Sequence, residues 1–143
     1  MDWSSLARSR MQHRHPESKR LQDFFKPILL KEIYMHKNMI KIWVDDVRMA
    51  PSEDWLHMYT VEGTIRLLER LRELGIVIEV MSLDHDAGEY AMYGGDYIKI
   101  LDWMERYGYS CPMHFHTANP VGLQNMKRIC ERNAWPVLKR ICI

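Results

Sequence analysis

Three short stretches carry the side chains of this chain that could do chemistry. Asp45-Asp46 follows the apolar run 40–44, with Arg48 just beyond it. Ser82-Leu83-Asp84-His85-Asp86 follows the apolar run 76–81. His114 and His116 flank Phe115 and lead into Thr117-Ala118-Asn119-Pro120. Three ionisable side chains in a row are expensive to bury without partners, so Asp84-His85-Asp86 at the end of an apolar run reads as a site. If Asp45, Asp46 and Asp84 meet, their like charges repel and push a carboxyl pKa upward, which a divalent cation relieves. Oxygen donors favour Mg²⁺ or Mn²⁺, and nearby imidazoles would also admit Fe²⁺ or Zn²⁺. His114 and His116 alternate, so they share one strand face, and His116 is the nearer to the strand end. A helix starting at Asn119 would offer free N–H groups and a positive dipole end to a phosphate, with Arg48 able to pair with the same anion. Acids for a metal, donors for an anion and imidazoles for proton transfer suit phosphate-ester chemistry. Taken singly, Asp45-Asp46 reads as a solvated strand-end turn and a buried histidine as a satisfied core residue. Their combination at strand ends is what points to a site.

Such a site needs a scaffold that brings distant points of the chain together. The β-branched and aromatic runs 39–44, 76–83 and 112–116 suit buried strands. Thr60 is a natural N-cap for a helix with apolar positions Val61, Ile65, Leu68 and Leu71, stopped at Gly75. A second helix is expected over 96–107, with Tyr97, Ile100, Leu101 and Met104 on one face. A third has Asn119 as N-cap and Pro120 at its first position, runs through Met126, Ile129 and Cys130, and breaks at Trp135-Pro136. Residues 137–143 offer a last strand, and Trp43 and Trp103 are expected in the core. Residues 47–59 read as a loop. So do 84–95. Tyr90, Tyr93 and Tyr97 with Gly94-Gly95, all after the acidic stretch, form either a flap that stacks on a base or sugar, or a surface loop with one core tyrosine. The order β-α-β-α-β-α-β argues for an α/β layer fold with a mostly parallel sheet. Right-handed crossovers put the β-to-α loops on one edge, where ligands of such sheets bind.

Composition narrows the class. The chain has 143 residues, 47% apolar and 27% charged, enough for one domain with a real core. A formal net charge of +1 gives no global field that would draw DNA or a membrane. No apolar run has the length of a membrane-spanning helix, and the N-terminus lacks the apolar core of a signal peptide. Cys111, Cys130 and Cys142 have no paired spacing, which fits reduced thiols and a cytoplasmic protein. Residues 1–34 carry seven lysines and arginines against four acids, and read as a basic N-terminal extension. This is either a disordered arm or a stretch outside the native product, since Lys31-Glu32 can be encoded as a ribosome-binding sequence ahead of a start at Met35. Residues 35–143 would be the α/β domain.

A family resemblance joins these motifs. Asp45-Asp46 with Arg48 and Pro51, the stretch Ser82-Leu83-Asp84-His85-Asp86, Gly95-Asp96, and His116-Thr117-Ala118-Asn119-Pro120-Val121-Gly122 with Asn125-Met126 resemble the cyclic-phosphate-processing receiver-like domains, over about residues 39–135. The resemblance implies a reduced receiver-like (flavodoxin-like) three-layer fold, with a mostly parallel four-stranded sheet and helices on both faces. It also implies a role in handling cyclic phosphates on nucleotides or RNA ends. Asp45 and Asp46 match the receiver's acidic pair, Asp84 its phosphoacceptor and Thr117 its strand-end hydroxyl. Two departures stand out. A strand–helix unit is missing before Asp84, and the receiver's last-strand lysine has no counterpart, because Lys139 falls too early. Loss of that lysine argues against aspartyl-phosphate signalling, whereas His85 and His116 favour acid–base work. The expectation is a phosphoesterase dependent on a divalent metal, Mg²⁺ or Mn²⁺, held by Asp45, Asp46, Asp84 and Asp86. Asp84, His85 and His116 would form its reacting centre, and Arg48, Thr117 and Asn119 would hold the phosphate. The alternatives are a signalling receiver phosphorylated on Asp84, and a non-catalytic binder of a cyclic nucleotide or RNA end.

Overall fold

Alternating apolar side chains and open backbone edges decide which runs of this chain pair. The computed structural model describes residues 39–141. The readings on the N-terminal extension and the start at Met35 lie outside the described residues, as do the last two positions. In chain order the elements are β1 (Met39–Val44), β2 (Trp55–Met58), α1 (Val61–Leu74), β3 (Val77–Leu83), a 3₁₀ turn (Gly88–Tyr93), α2 (Ile98–Tyr107), β4 (Met113–Phe115) and α3 (Pro120–Arg132). The sheet order is β2-β1-β3-β4. β1 runs parallel to β2, with Lys41 opposite Trp55 and Val44 opposite Met58. β3 runs parallel to β4, with Ser82 opposite His114. The Asp84 amide donates to the Val44 carbonyl at 2.9 Å, tying the carboxyl ends of β1 and β3 together.

This is the expected α/β receiver-like fold, and its strand order follows the flavodoxin-like pattern, in which the ligand crevice opens between the first and third strands. Two elements differ from expectation. Residues 47–59 are not all loop, because Trp55–Met58 forms the fourth strand of the sheet. Four residues are too few for a periodic signal, but the open edge of β1 supplies partners for their backbone groups. The strand expected over 137–143 is instead a single bridge from Val137 to Met113. It follows Pro136 and runs into exposed Lys139 and Arg140, which have nothing apolar to bury. The apparent loss of a strand–helix unit is therefore only the loss of a helix: β1 passes to β2 through the loop 45–54, and β2 is retained.

The helices form where the caps predict. The Thr60 side chain accepts from the Gly63 amide at 3.0 Å, and the Thr64 hydroxyl donates to the Thr60 carbonyl at 2.7 Å. α1 then buries Val61, Leu67, Leu68 and Leu71, each contributing roughly 1.5–3 kcal/mol of apolar burial. The crossovers β2 to β3 and β3 to β4 run the same way across the sheet, so right-handed connections set α1 and α2 on one face, in contact with each other. α3 packs beside α2, and Arg132 clasps Glu105 across them with two bonds of 2.6 Å. Alternation along β1 points Trp43 away from Ile42 and Val44. It joins Trp55 and Val80 in a second apolar cluster, with Ala50 and Ile141 packed against it. Trp103, expected in the core, is half-buried between Tyr107 and Tyr109. No helix among the described residues is long and apolar enough to cross a membrane.

The Thr60 cap gives a direct check. Thr60→Ala should lower the unfolding free energy by about 1 kcal/mol in a urea titration, and Thr60→Ser should retain most of it. Equal stability of Thr60→Ala and wild type would show that the cap contributes nothing.

Candidate functional site

The adjacent carboxyl ends of β1 and β3 put Asp45 and Asp84 side by side. Oxygens of Asp45, Asp46 and Asp84 lie within 4.8 Å of one another. Asp45 is only 1% exposed and is held on every side. Its Oδ1 accepts from the amides of Val47 at 2.8 Å and Arg48 at 2.7 Å, which folds the chain into a tight turn after β1. Its Oδ2 meets Nε2 of His116 at 2.8 Å, and its carbonyl meets Nε2 of the buried His57 at 2.9 Å. Asp84 is also buried, with Oδ1 accepting from the His85 amide at 2.8 Å. Asp46 lies more open and carries the electrostatic strain. Partial burial, and then the charges of Asp45 and Asp84, push its carboxyl pKa above the ordinary value of 3.8. Gly88, at φ +55°, lies so close to Asp46 that a Cβ there would strike its Oδ2, so only glycine lets that carboxylate sit where it does.

The donor set fits a hard divalent cation. Three carboxylates share one small volume, and the Arg48 guanidinium is 3.7 Å from Asp45 Oδ2 and half exposed. The Arg48 Nη1 also donates to the His116 carbonyl, which keeps its head group at the mouth of the crevice.

Asp86 belongs to a different group. With His85 and Asp96 it forms a second cluster whose ligand atoms lie within 4.8 Å of one another. His85 Nδ1 is 2.8 Å from Asp86 Oδ1, and Asn119 Nδ2 reaches both Asp86 oxygens at 3.3 Å. Those bonds hold the Asp86 pKa below its ordinary value. Asp96 Oδ1 accepts from the Ala87 amide, closing the loop after β3. The His85 ring packs against Gly122 in the first turn of α3, where a Cβ would collide with it. Asn119 is committed to the cap of α3 through its Oδ1 and the Gly122 amide at 2.9 Å, and Thr117 Oγ1 accepts from the Asn119 amide at 3.1 Å. Both residues shape the rim of the crevice.

His116 is more enclosed than its place at a strand end suggests. Its ring stacks on Trp43 with centroids 3.7 Å apart and planes 5° apart. Both nitrogens are engaged, Nε2 by Asp45 and Nδ1 by Ser82 Oγ at 2.7 Å. His114 Nδ1 meets the same Ser82 oxygen, also at 2.7 Å. Burial pushes both histidines toward the neutral form. The tyrosines divide as well. Tyr97 is fully buried, with its hydroxyl donating to the Tyr59 carbonyl, while Tyr90 leans on Tyr59.

Sequence reading assigned no role to Ser82, His57, Asp96 or Gly122. The signal for Ser82 was available, because a polar residue inside an apolar strand has to find a partner on its own face. That this partner is a histidine pair depends on the β3–β4 register.

Residues 40–132 match the family model described as the cyclic-phosphate processing receiver domain. No curated protein and no solved structure matches the chain.

The raised Asp46 pKa makes a signed prediction. A carboxyl that holds its proton more tightly when folded loses stability as pH rises from 3.8 through the raised value, and the penalty is complete above it. In chelator, Asp46→Asn should therefore be more stable than wild type at pH 7, and the difference should fade towards pH 3.8 and below. Urea titrations at three pH values measure it. A variant less stable than wild type at pH 7 would contradict the repulsion.

Proposed function

The chain belongs to the cyclic-phosphate processing receiver family, and from that membership we propose that it is a divalent-metal-dependent phosphoesterase that opens cyclic phosphates on nucleotides or RNA ends. The observation that carries the reading is the convergence of Asp45, Asp46 and Asp84 within 4.8 Å, with Asp46 under charge repulsion that a cation would relieve. Those three residues would hold Mg²⁺ or Mn²⁺, which when bound polarises a phosphoryl oxygen and offsets the negative charge of the reacting group.

The protein's own groups divide the remaining work. Arg48, half exposed at the crevice mouth, pairs with the anionic phosphate. Asp86 accepts from His85 Nδ1–H, leaving the Nε2 lone pair to take a proton from the attacking water. The new bond joins the water oxygen to phosphorus, the bond from phosphorus to one sugar oxygen breaks, and that oxygen takes its proton from solvent. His116 has both nitrogens committed and acts through Asp45, holding it against rotation. Thr117 and Asn119 set the shape of the rim beside His85. Cys111 and Cys130 are buried free thiols, which suits a cytoplasmic setting.

The test is turnover of 2′,3′-cyclic nucleotides and of RNA ending in a cyclic phosphate, with Mg²⁺ or Mn²⁺ and with chelator. Activity should require the metal. His85→Ala should lower kcat by about 10²–10⁴-fold, and Asp84→Asn should lower both metal affinity and turnover. Tight binding of a cyclic phosphate that no Mg²⁺, Mn²⁺ or Zn²⁺ addition opens would make the protein a binder. A stable acyl phosphate formed from acetyl phosphate, and lost in Asp84→Asn, would make it a signalling receiver.

A further inference from the structure

Ser82 is completely buried in the middle of the sheet, between the two histidines and away from solvent. Its Oγ lies 2.7 Å from Nδ1 of His114 and 2.7 Å from Nδ1 of His116. We propose that Ser82 is a positioning residue that sets the tautomers of both histidines and thereby fixes the N–H donor that His116 presents to Asp45.

The direction of each bond follows from counting protons. The Asp45 carboxylate offers only lone pairs, so His116 Nε2, 2.8 Å from Oδ2, carries the hydrogen. In a neutral imidazole the other nitrogen, Nδ1, is then an acceptor. Ser82 therefore donates its single hydroxyl proton to His116. Having given that proton away, Ser82 can only accept from His114, which must be protonated on Nδ1 with its lone pair on Nε2. The result is a one-way chain from His114 to Ser82 to His116 to Asp45. The count is that of two neutral imidazoles sharing the single proton of one hydroxyl. Stacking on Trp43, with planes 5° apart, confines the His116 ring to the plane in which both of its bonds are made. The β3–β4 register, with Ser82 opposite His114, holds the serine at the junction.

The consequence for Asp45 rests on its proposed role as a cation ligand; the tautomers do not. Amide donors already hold Asp45 Oδ1, so His116 Nε2–H governs the orientation of the second oxygen. Ser82 acts at one remove, in the way outer-shell partners tune ligands.

Long-range ¹H–¹⁵N correlation spectra of the metal-free, ¹⁵N-labelled full chain near neutral pH read the tautomers directly. His116 should be protonated on Nε2 and His114 on Nδ1, the less common form for a free imidazole. In Ser82→Ala, His114 should revert to the Nε2–H form while His116 keeps its bond to Asp45. Ser82→Thr, which retains a hydroxyl, should keep the wild-type pattern. Finding His114 protonated on Nε2 in the wild type would overturn the proposal, and so would a Ser82→Ala spectrum unchanged at His114. The wild-type spectrum alone decides the matter if the alanine variant fails to fold. Mn²⁺ affinity should fall about tenfold in Ser82→Ala and recover in Ser82→Thr. Failure of the wild type to bind Mn²⁺ at all would overturn the phosphoesterase reading while leaving the tautomer assignment to the spectra.

Discussion

The carboxylate of Asp45 is the constraint on which the rest of the site depends. It is a nearly buried charge at the end of a central strand, and such a group is tolerated only when donors surround it. The protein supplies the Val47 and Arg48 amides on one oxygen and His116 Nε2 on the other. Each donor fixes a different piece of structure. The amides bend the chain out of β1 and aim Arg48 at the crevice. His116 brings the end of β4 to the end of β1, across the intervening strand. The Asp45 carbonyl, engaged by His57, anchors the end of β2 in the same way.

Around this fixed charge the site is built from controlled repulsion. Asp46 and Asp84 could have been directed outward to solvent, yet Asp84 is buried and Asp46 is seated against Gly88. Like charges held this close repel, which raises the Asp46 pKa and which a bound cation would relieve. The second cluster, His85 with Asp86 and Asp96, lies immediately after Asp84 in the chain, with its histidine immobilised on the first turn of α3. A charge-dense centre beside an oriented imidazole is a division of labour suited to phosphate chemistry.

The scaffold meets these demands with little material. The flavodoxin-like strand order puts the crevice between β1 and β3, where Asp45 and Asp84 sit. The helix between β1 and β2 is dispensed with, and β2 survives as a four-residue edge strand. The fifth strand of the full layout is reduced to a bridge at Val137. What remains is what the site requires: three strand ends converging, and a helix start against which one histidine can rest.

Much of this was legible in the residues. β1, β3 and β4 announced themselves as apolar runs, and α1 and α3 by Thr60 and by Asn119-Pro120, because capping and burial are local consequences of residue type. The clustering of Asp45, Asp46 and Asp84 followed from strand order, which the βα alternation implied. Three matters required tertiary structure. Trp55–Met58 becomes a strand only because β1 offers it an open edge. Asp86 pairs with His85, in a cluster with Asp96 and apart from Asp45, Asp46 and Asp84, because the loop after β3 turns it there. His116 is enclosed, and Ser82 lies between two imidazoles, because of the exact register of β3 against β4. Residue type and spacing determine which side chains can bear charge or donate a proton. Which atom faces which partner is set by register and loop path, and these depend on contacts between residues far apart in the chain.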